Sequence, residues 1–180
     1  KYAHRLAADR HDNLWVGTAN GLYKYAISAN AFVKTYTSRP GELSANYITS
    51  LSFDLENNLW IGTEDGGINI LNLQTDRFGY MFPGVNSQSL SSESVYAIYH
   101  DKEYRHWIGT LKGGINILDP QISQFKMVTH DPLNPNSLVN NFTGTFFEDK
   151  GNNLFIGTDG GGMSVWNRKT NKFQNFSHND

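Results

Sequence analysis

Residues Leu59-Trp60-Ile61-Gly62-Thr63, followed by Glu64-Asp65-Gly66-Gly67-Ile68-Asn69-Ile70-Leu71, decide the fold. The pentapeptide returns as Leu14-Trp15-Val16-Gly17-Thr18, as His106-Trp107-Ile108-Gly109-Thr110 and as Leu154-Phe155-Ile156-Gly157-Thr158. Successive aromatic positions stand 45, 47 and 48 residues apart. The likeness extends outward in both directions. Asp9, Asp54, Asp101 and Asp149 each lie six residues before the aromatic. Leu22, Ile68, Ile115 and Met163 each lie ten residues before Phe32, Phe78, Phe125 and Phe173. A repeat in the mid-forties without helical periodicity predicts an all-β fold, a β-propeller of four-stranded antiparallel blades.

Each repeat divides into four strands. The innermost covers 47–53 in the second repeat, then 95–100 and 142–148, and the Trp-Ile-Gly-Thr run is the second. Gly-rich hairpins at Asn20-Gly21, Asp65-Gly66-Gly67, Lys112-Gly113-Gly114 and Gly160-Gly161-Gly162 supply the positive φ of tight turns. Gly-Ile-Asn-Ile-Leu is the third strand, and the recurrent Phe opens the fourth. Strand three is apolar on both faces: Ile68 and Ile70 lie on one, Leu71 and Leu73 on the other. That fits blades stacked face to face. The Asp between strands one and two is expected to accept backbone N–H bonds two or three residues on. The recurring Trp15, Trp60 and Trp107 read as packing between blades.

Composition narrows the function classes. Fifteen Lys+Arg against seventeen Asp+Glu leave a net charge of −2, with no basic footprint for nucleic acid or a membrane surface. No apolar run reaches the length of a membrane span. With Lys1 at the start and no apolar segment after it, a signal peptide is expected to be absent or removed. Twenty Asn, 17 Gly and 12 Thr favour turns and strands over helices, and the absence of Cys excludes disulfides and thiolate metal sites. His100, Asp101 and His106 form the one local His/Asp cluster. Repeat positions account for Asp101 and His106, no third ligand is evident, and no metal or other cofactor is expected. Nucleophile-elbow, zincin, P-loop and dinucleotide-binding motifs are missing, so no residue is assigned a catalytic role.

A blade reading Asp-x-x-x-Asn-Leu-Trp-Ile-Gly-Thr-x-x-Gly-Gly-Ile-x-x-Leu, with the linker Leu43-Ser44-Ala45-Asn46-Tyr47-Ile48 before the next, resembles the two-component regulator propeller repeat over essentially the whole chain. Departures are small: a hairpin one residue shorter in the first blade, Arg105-His106 for Asn-Leu in the third, and Phe155 for Trp in the fourth. The resemblance implies a fragment of the periplasmic sensor region of a hybrid histidine kinase, which would sense an oligosaccharide and signal through dimer rearrangement. The kinase itself is not in this sequence. The other readings are a propeller serving as a structural or protein-interaction scaffold, and a carbohydrate-active propeller enzyme.

Blades are expected at 1–45, 46–92, 93–140 and 141–180. Four whole blades without a strand left over predict an open arc, completed by further blades or by a second copy, rather than a closed four-bladed ring. The linkers into strand one and the hairpins between strands two and three line one face. They place Asn46, Tyr47, Glu93, Tyr96, Asn141 and Phe142 near the axis, with Glu64, Asp65, Lys112 and Asp159 beside them. Flat aromatic faces with planar amide and carboxylate partners are the chemistry that binds sugars. The plainer alternative makes the aromatics inner-strand packing and Asn46 and Asn141 turn caps.

Overall fold

The computed structural model describes residues 2–84, 89–119 and 124–177. Among them are sixteen strands, grouped in chain order into four antiparallel sheets and no helix. The first sheet holds β1 (Ala3–Ala8), β2 (Asn13–Thr18), β3 (Gly21–Ala26) and β4 (Ala31–Tyr36). The second holds β5 (Ile48–Phe53), β6 (Leu59–Thr63), β7 (Ile68–Asn72) and β8 (Arg77–Met81). The third holds β9 (Val95–His100), β10 (His106–Thr110), β11 (Gly114–Asp119) and β12 (Gln124–Val128). The fourth holds β13 (Thr143–Glu148), β14 (Asn153–Thr158), β15 (Gly162–Asn167) and β16 (Lys172–Phe176). Each inner strand packs on the next, from β1 to β5, β9 and β13, and the arc stays open.

Three cores fill the three seams, and each is built the same way. One side comes from the face of a blade that carries its Trp, the other from the opposite face of the following blade. Trp15 and Leu22 meet Leu43, Ile48, Leu59 and Ile61. Trp60 and Ile68 meet Leu90, Val95 and Ile108. Trp107, Ile115 and Ile117 meet Leu138, Leu154, Ile156 and Trp166. Strand β7 serves two seams at once, Ile68 and Ile70 toward one neighbour and Leu71 and Leu73 toward the other, as its sequence predicts.

The seams also explain the invariant Gly of the pentapeptide. Side chains added at Gly17, Gly62 and Gly109 would run into the next inner strand, at Ile48, Val95 and Thr143. The hairpins supply positive φ in every repeat, at Gly21 in the first. Positive φ falls on Asp65 and Gly67, on Lys112 and Gly114, and on Gly160 and Gly162, but not on the middle glycines or Asn20. Gly66 and Gly113 are small because Ser44 and Ser91 press against them.

Those serines belong to linkers that dock on the following sheet. Ser44 N–H donates to Asn69 Oδ1 at 2.8 Å and Ser91 N–H to Asn116 Oδ1 at 2.9 Å, while Val139 N–H donates to Ser164 Oγ at 3.0 Å. Leu43, Leu90 and Leu138 are buried beside them. At Gly114, φ is +71° and a methyl group would collide with the Val128 carbonyl, so Gly114→Ala is expected to destabilise by about 2–3 kcal/mol in urea unfolding. Gly160 has φ +77° but open space around it, and Gly160→Ala should lose only about 1 kcal/mol.

Candidate functional site

The face predicted from sequence is assembled by backbone bonds between linkers and hairpins. Within a blade, Glu64, Leu111 and Asp159 N–H groups donate to the Tyr47, Ser94 and Phe142 carbonyls at 2.9–3.0 Å. Between blades, Gly21, Gly67 and Gly114 N–H groups donate to the Asn46, Glu93 and Asn141 carbonyls at 2.7–3.0 Å. Each linker is thereby held by its own hairpin and the preceding one. The side chains it carries are presented on a fixed frame.

Five predicted residues, Tyr47, Glu64, Asp65, Tyr96 and Phe142, come together on this frame. Tyr96 O–H donates to Glu64 Oε1 at 3.3 Å, and its ring meets Phe142 edge-on at 4.9 Å between centroids. Burial raises the Tyr96 pKa, and the carboxylates of Glu64 and Asp65 and the nearby Tyr47 hydroxyl raise it further. Tyr47 is 42% exposed, with the His4 ring 4.8 Å away. Asp65 Oδ1 accepts the Ser94 hydroxyl at 3.0 Å. The result is an aromatic ledge along the inner strands, bordered by carboxylates. Glu93, Lys112 and Asp159 lie exposed on the same rim. Asn46 and Asn141 do the structural work of the plainer reading, since their Oδ1 atoms accept N–H bonds from Ser38 (2.7 Å) and His130 (2.6 Å). His4 belongs to the ledge although the sequence reading passed over it. It occupies the repeat position of Tyr96, five residues before the turn Asp, which was the available signal.

The turn aspartates accept an N–H bond from two residues on, as expected, and a second from four rather than three residues on, as Asp54 does from Glu56 (3.0 Å) and Asn58 (2.8 Å). The second oxygen reaches further, taking the indole N–H of Trp15, Trp60 or Trp107 at 2.9–3.0 Å. The Phe155 ring has no N–H to offer, and Asp149 holds only its own turn. Burial pushes the Asp9 pKa up, but bonds from Trp15, Asn13 and His11 outweigh it and leave the carboxyl below its usual range.

On the opposite side of the arc, where these turns lie, a cleft opens at each seam. The largest, about 490 Å³, lies between the second and third blades and is lined by Asp54, Glu56, Trp60, His100, Tyr104 and His106. His100 and His106 face each other with Nδ1 atoms 2.6 Å apart, and the His106 ring stacks on Trp60 at 4.3 Å. Asp101, the third member of the cluster noted in sequence, bonds instead to Trp107 and to two arginines. Among the described residues no three His, Cys, Asp or Glu side chains are grouped to hold a metal.

Comparison with known proteins agrees with this architecture. A family model for the two component regulator propeller matches residues 89–112, from the docked linker through the Gly-Thr of β10. Over those residues the chain is similar to a two component regulator propeller repeat. Its fold matches a chain described as the extracellular domain of hybrid two component system BT3049 from B. thetaiotaomicron, with a TM-score of 0.80 at 24% identity over 97% of this chain. The corresponding domain of BT4673 from the same organism gives 0.79 at 25% identity, again over 97%. The chain spans only about a quarter of the length of either relative (23% and 25%). The computationally designed Ika4 protein matches at TM-score 0.62 and 17% identity, with 92% of this chain and 91% of that one covered. No curated protein sequence matches the chain.

Proposed function

We propose that this chain is part of the extracytoplasmic sensor region of a hybrid two-component signalling protein, and that it binds an oligosaccharide on the Tyr47–Tyr96–Phe142 ledge. The observation that carries the reading is the fold likeness to such extracellular domains along almost the whole chain, joined to the family repeat in the third blade. A periplasmic location follows from the same reading. So does signalling through rearrangement of a dimer, because ligand bound at a propeller surface favours whichever geometry it contacts better. In this reading the chain acts by binding.

Charge on the ledge indicates the sugar class. Among the ledge residues named, the four carboxylates Glu64, Asp65, Glu93 and Asp159 outnumber Lys112, so a neutral oligosaccharide is favoured over a uronate, which the carboxylates repel. Titrating defined neutral and acidic oligosaccharides while following thermal melting tests this. A neutral sugar in hundredfold excess over its Kd should raise Tm by about 5–10 °C. Tyr47→Ala and Tyr96→Ala should each weaken that binding about tenfold, read by calorimetry. Unchanged affinity in the double variant would remove the ledge as the site.

A further inference from the structure

The clefts at the three seams differ in one respect: two of them carry a cation of the chain's own over the indole. In the first, Lys24 Nζ lies 5.4 Å from the centre of the Trp15 ring. In the third, the guanidiniums of Arg168 and Arg105 lie 5.4 and 5.7 Å from that of Trp107, and both pair with Asp101. The cleft between the second and third blades has the equivalent indole and turn carboxylate, Trp60 and Asp54. Among the described residues no lysine or arginine lines it. Ile70 stands at the repeat position of Lys24, Asn58 at that of Arg105, and both line this cleft. The sequence places Pro120, outside the described residues, at the position of Arg168. The His106 ring lies on Trp60 in place of a cation, and burial lowers its pKa and favours the neutral form. Asp54 and Glu56 thus line the cleft without an ion pair among the described residues. At about 490 Å³ it also exceeds the clefts of the first and third seams, about 390 and 360 Å³.

A second observation comes from Tyr104, which lines the same cleft. It is the third residue after the turn Asp, where the backbone is left-handed in every repeat, and its φ is +65°. The other repeats place Asp12, Asn57 and Asn152 there, residue types that adopt this conformation at little cost. An aromatic side chain is disfavoured at such a φ, so the turn does not call for it. Packing does not call for it either, since Tyr104 is 57% exposed. Both blades that form the cleft are flanked by described blades, and it lies on the side of the arc away from the ledge.

We propose that the cleft between the second and third blades binds an organic cation from outside the chain, an alkylammonium or guanidinium group held by Asp54 and Glu56 beside the Tyr104 ring. The ligand supplies here the charge that Lys24 and Arg168 supply at the other two seams. Carboxylates attract the charge, and an aromatic ring attracts it by its quadrupole while excluding water from one side. Rings beside carboxylates favour an organic cation over a metal ion, and among the described residues no three His, Cys, Asp or Glu side chains are grouped to hold a metal. The proposal does not rest on the sugar reading of the ledge.

Calorimetric titration of the 180-residue chain with N-acetyl-argininamide, with butylguanidinium and with the uncharged N-acetyl-citrullinamide tests this. The two cations should bind with a Kd of about 1 mM or tighter, and the citrulline compound at least about tenfold more weakly. Tyr104→Asn restores the residue type that the left-handed turn favours, so it should leave the melting temperature unchanged or raise it while weakening binding about fivefold. Ile70→Lys gives this seam its own cation at the Lys24 position and should abolish binding. Glu56→Lys should do the same from an exposed position, which covers the case in which a lysine at 70 unfolds the chain. Equal binding of the charged and uncharged compounds, or no heat from either cation at about 10 mM, overturns the proposal. So does affinity unchanged in both Tyr104→Asn and Glu56→Lys, which would place the cations elsewhere. Tighter binding of N-acetyl-argininamide than of butylguanidinium names a basic side chain of a polypeptide as the source and the reverse names a free small cation; both uphold the site.

Discussion

Asp101→Ala is expected to destabilise the protein by about 3–5 kcal/mol, the largest loss of any single polar residue described here. The Asp101 side chain is 1% exposed and its two oxygens take five donors. Oδ1 accepts the N–H groups of Glu103 and Arg105 at 2.9 and 3.0 Å. Oδ2 accepts Trp107 Nε1 at 2.9 Å, Arg105 Nε at 2.8 Å and an Arg168 guanidinium N–H at 3.1 Å. Burial pushes its pKa up, but the bonds from Trp107 and Arg105 overcome this and hold it below the ordinary value. Arg168 comes from the fourth blade, where it also pairs with Glu148 and lies over the Trp107 ring. Removing the Asp101 carboxylate therefore leaves two guanidiniums and an indole N–H facing one another in the seam. Urea unfolding should show the loss as a lower midpoint with an unchanged slope. Asp149→Ala is the internal control: it carries the same repeat residue but no indole or arginine, and its effect should be a small fraction of that at Asp101. Equal losses at the two positions would show that the turn, and not the seam, sets the value.

Lowering the pH from about 6.5 to about 4 should remove on the order of 3 kcal/mol of stability through the His100–His106 pair. Burial, reinforced by His106, pushes the His100 pKa down to about 4 against the pull of Asp54 and Asp101. Burial also lowers His106, outweighing Asp54, Asp101 and Glu56. With a depressed folded pKa, the neutral ring is favoured in the fold. The unfolded chain takes up protons below its ordinary value of 6.5 while the folded chain does not. Stability is therefore full above that value and declines as pH falls toward 4. Acid loss through Asp9 and Asp101, whose folded pKa values lie below 3.8, comes only at lower pH, so the two windows separate. His100 and His106 occupy the repeat positions of Phe53 and Leu59, both packed in the first seam. The double variant His100→Phe, His106→Leu should abolish the loss between pH 6.5 and 4 and leave the lower one, as read by melting temperature across pH. A parent chain as stable at pH 4.5 as at pH 7 would contradict this account.

The sequence by itself determined the blade, because a blade is local. Trp60, Gly62, Gly66, Gly67 and the turn Asp54 lie within fourteen residues, and spacing alone sets which faces are apolar and where the chain must turn. Four copies in register made the propeller legible, with strand boundaries within two residues of those observed. The aromatic ledge was legible in part for the same reason: Tyr47 and Phe142 share one repeat position, and Tyr96 stands two positions on.

What lies across a seam was not legible. The Asp101–Arg168 pair spans 67 residues, and neither residue announces the other. The indole bonds of Trp15, Trp60 and Trp107 to the turn aspartates require a backbone that curls the carboxylate toward the ring, which a six-residue spacing does not disclose. Stacking of blades decided that His100 and His106 share a cleft with Trp60 while Asp101 turns away. It also decided that Gly66 and Gly113 are small for space rather than for φ. Local hydrogen bonding and alternation are properties of short segments. Burial, charge pairing and close approach are set by neighbours some 45 residues away, and they exist only once the blades have stacked.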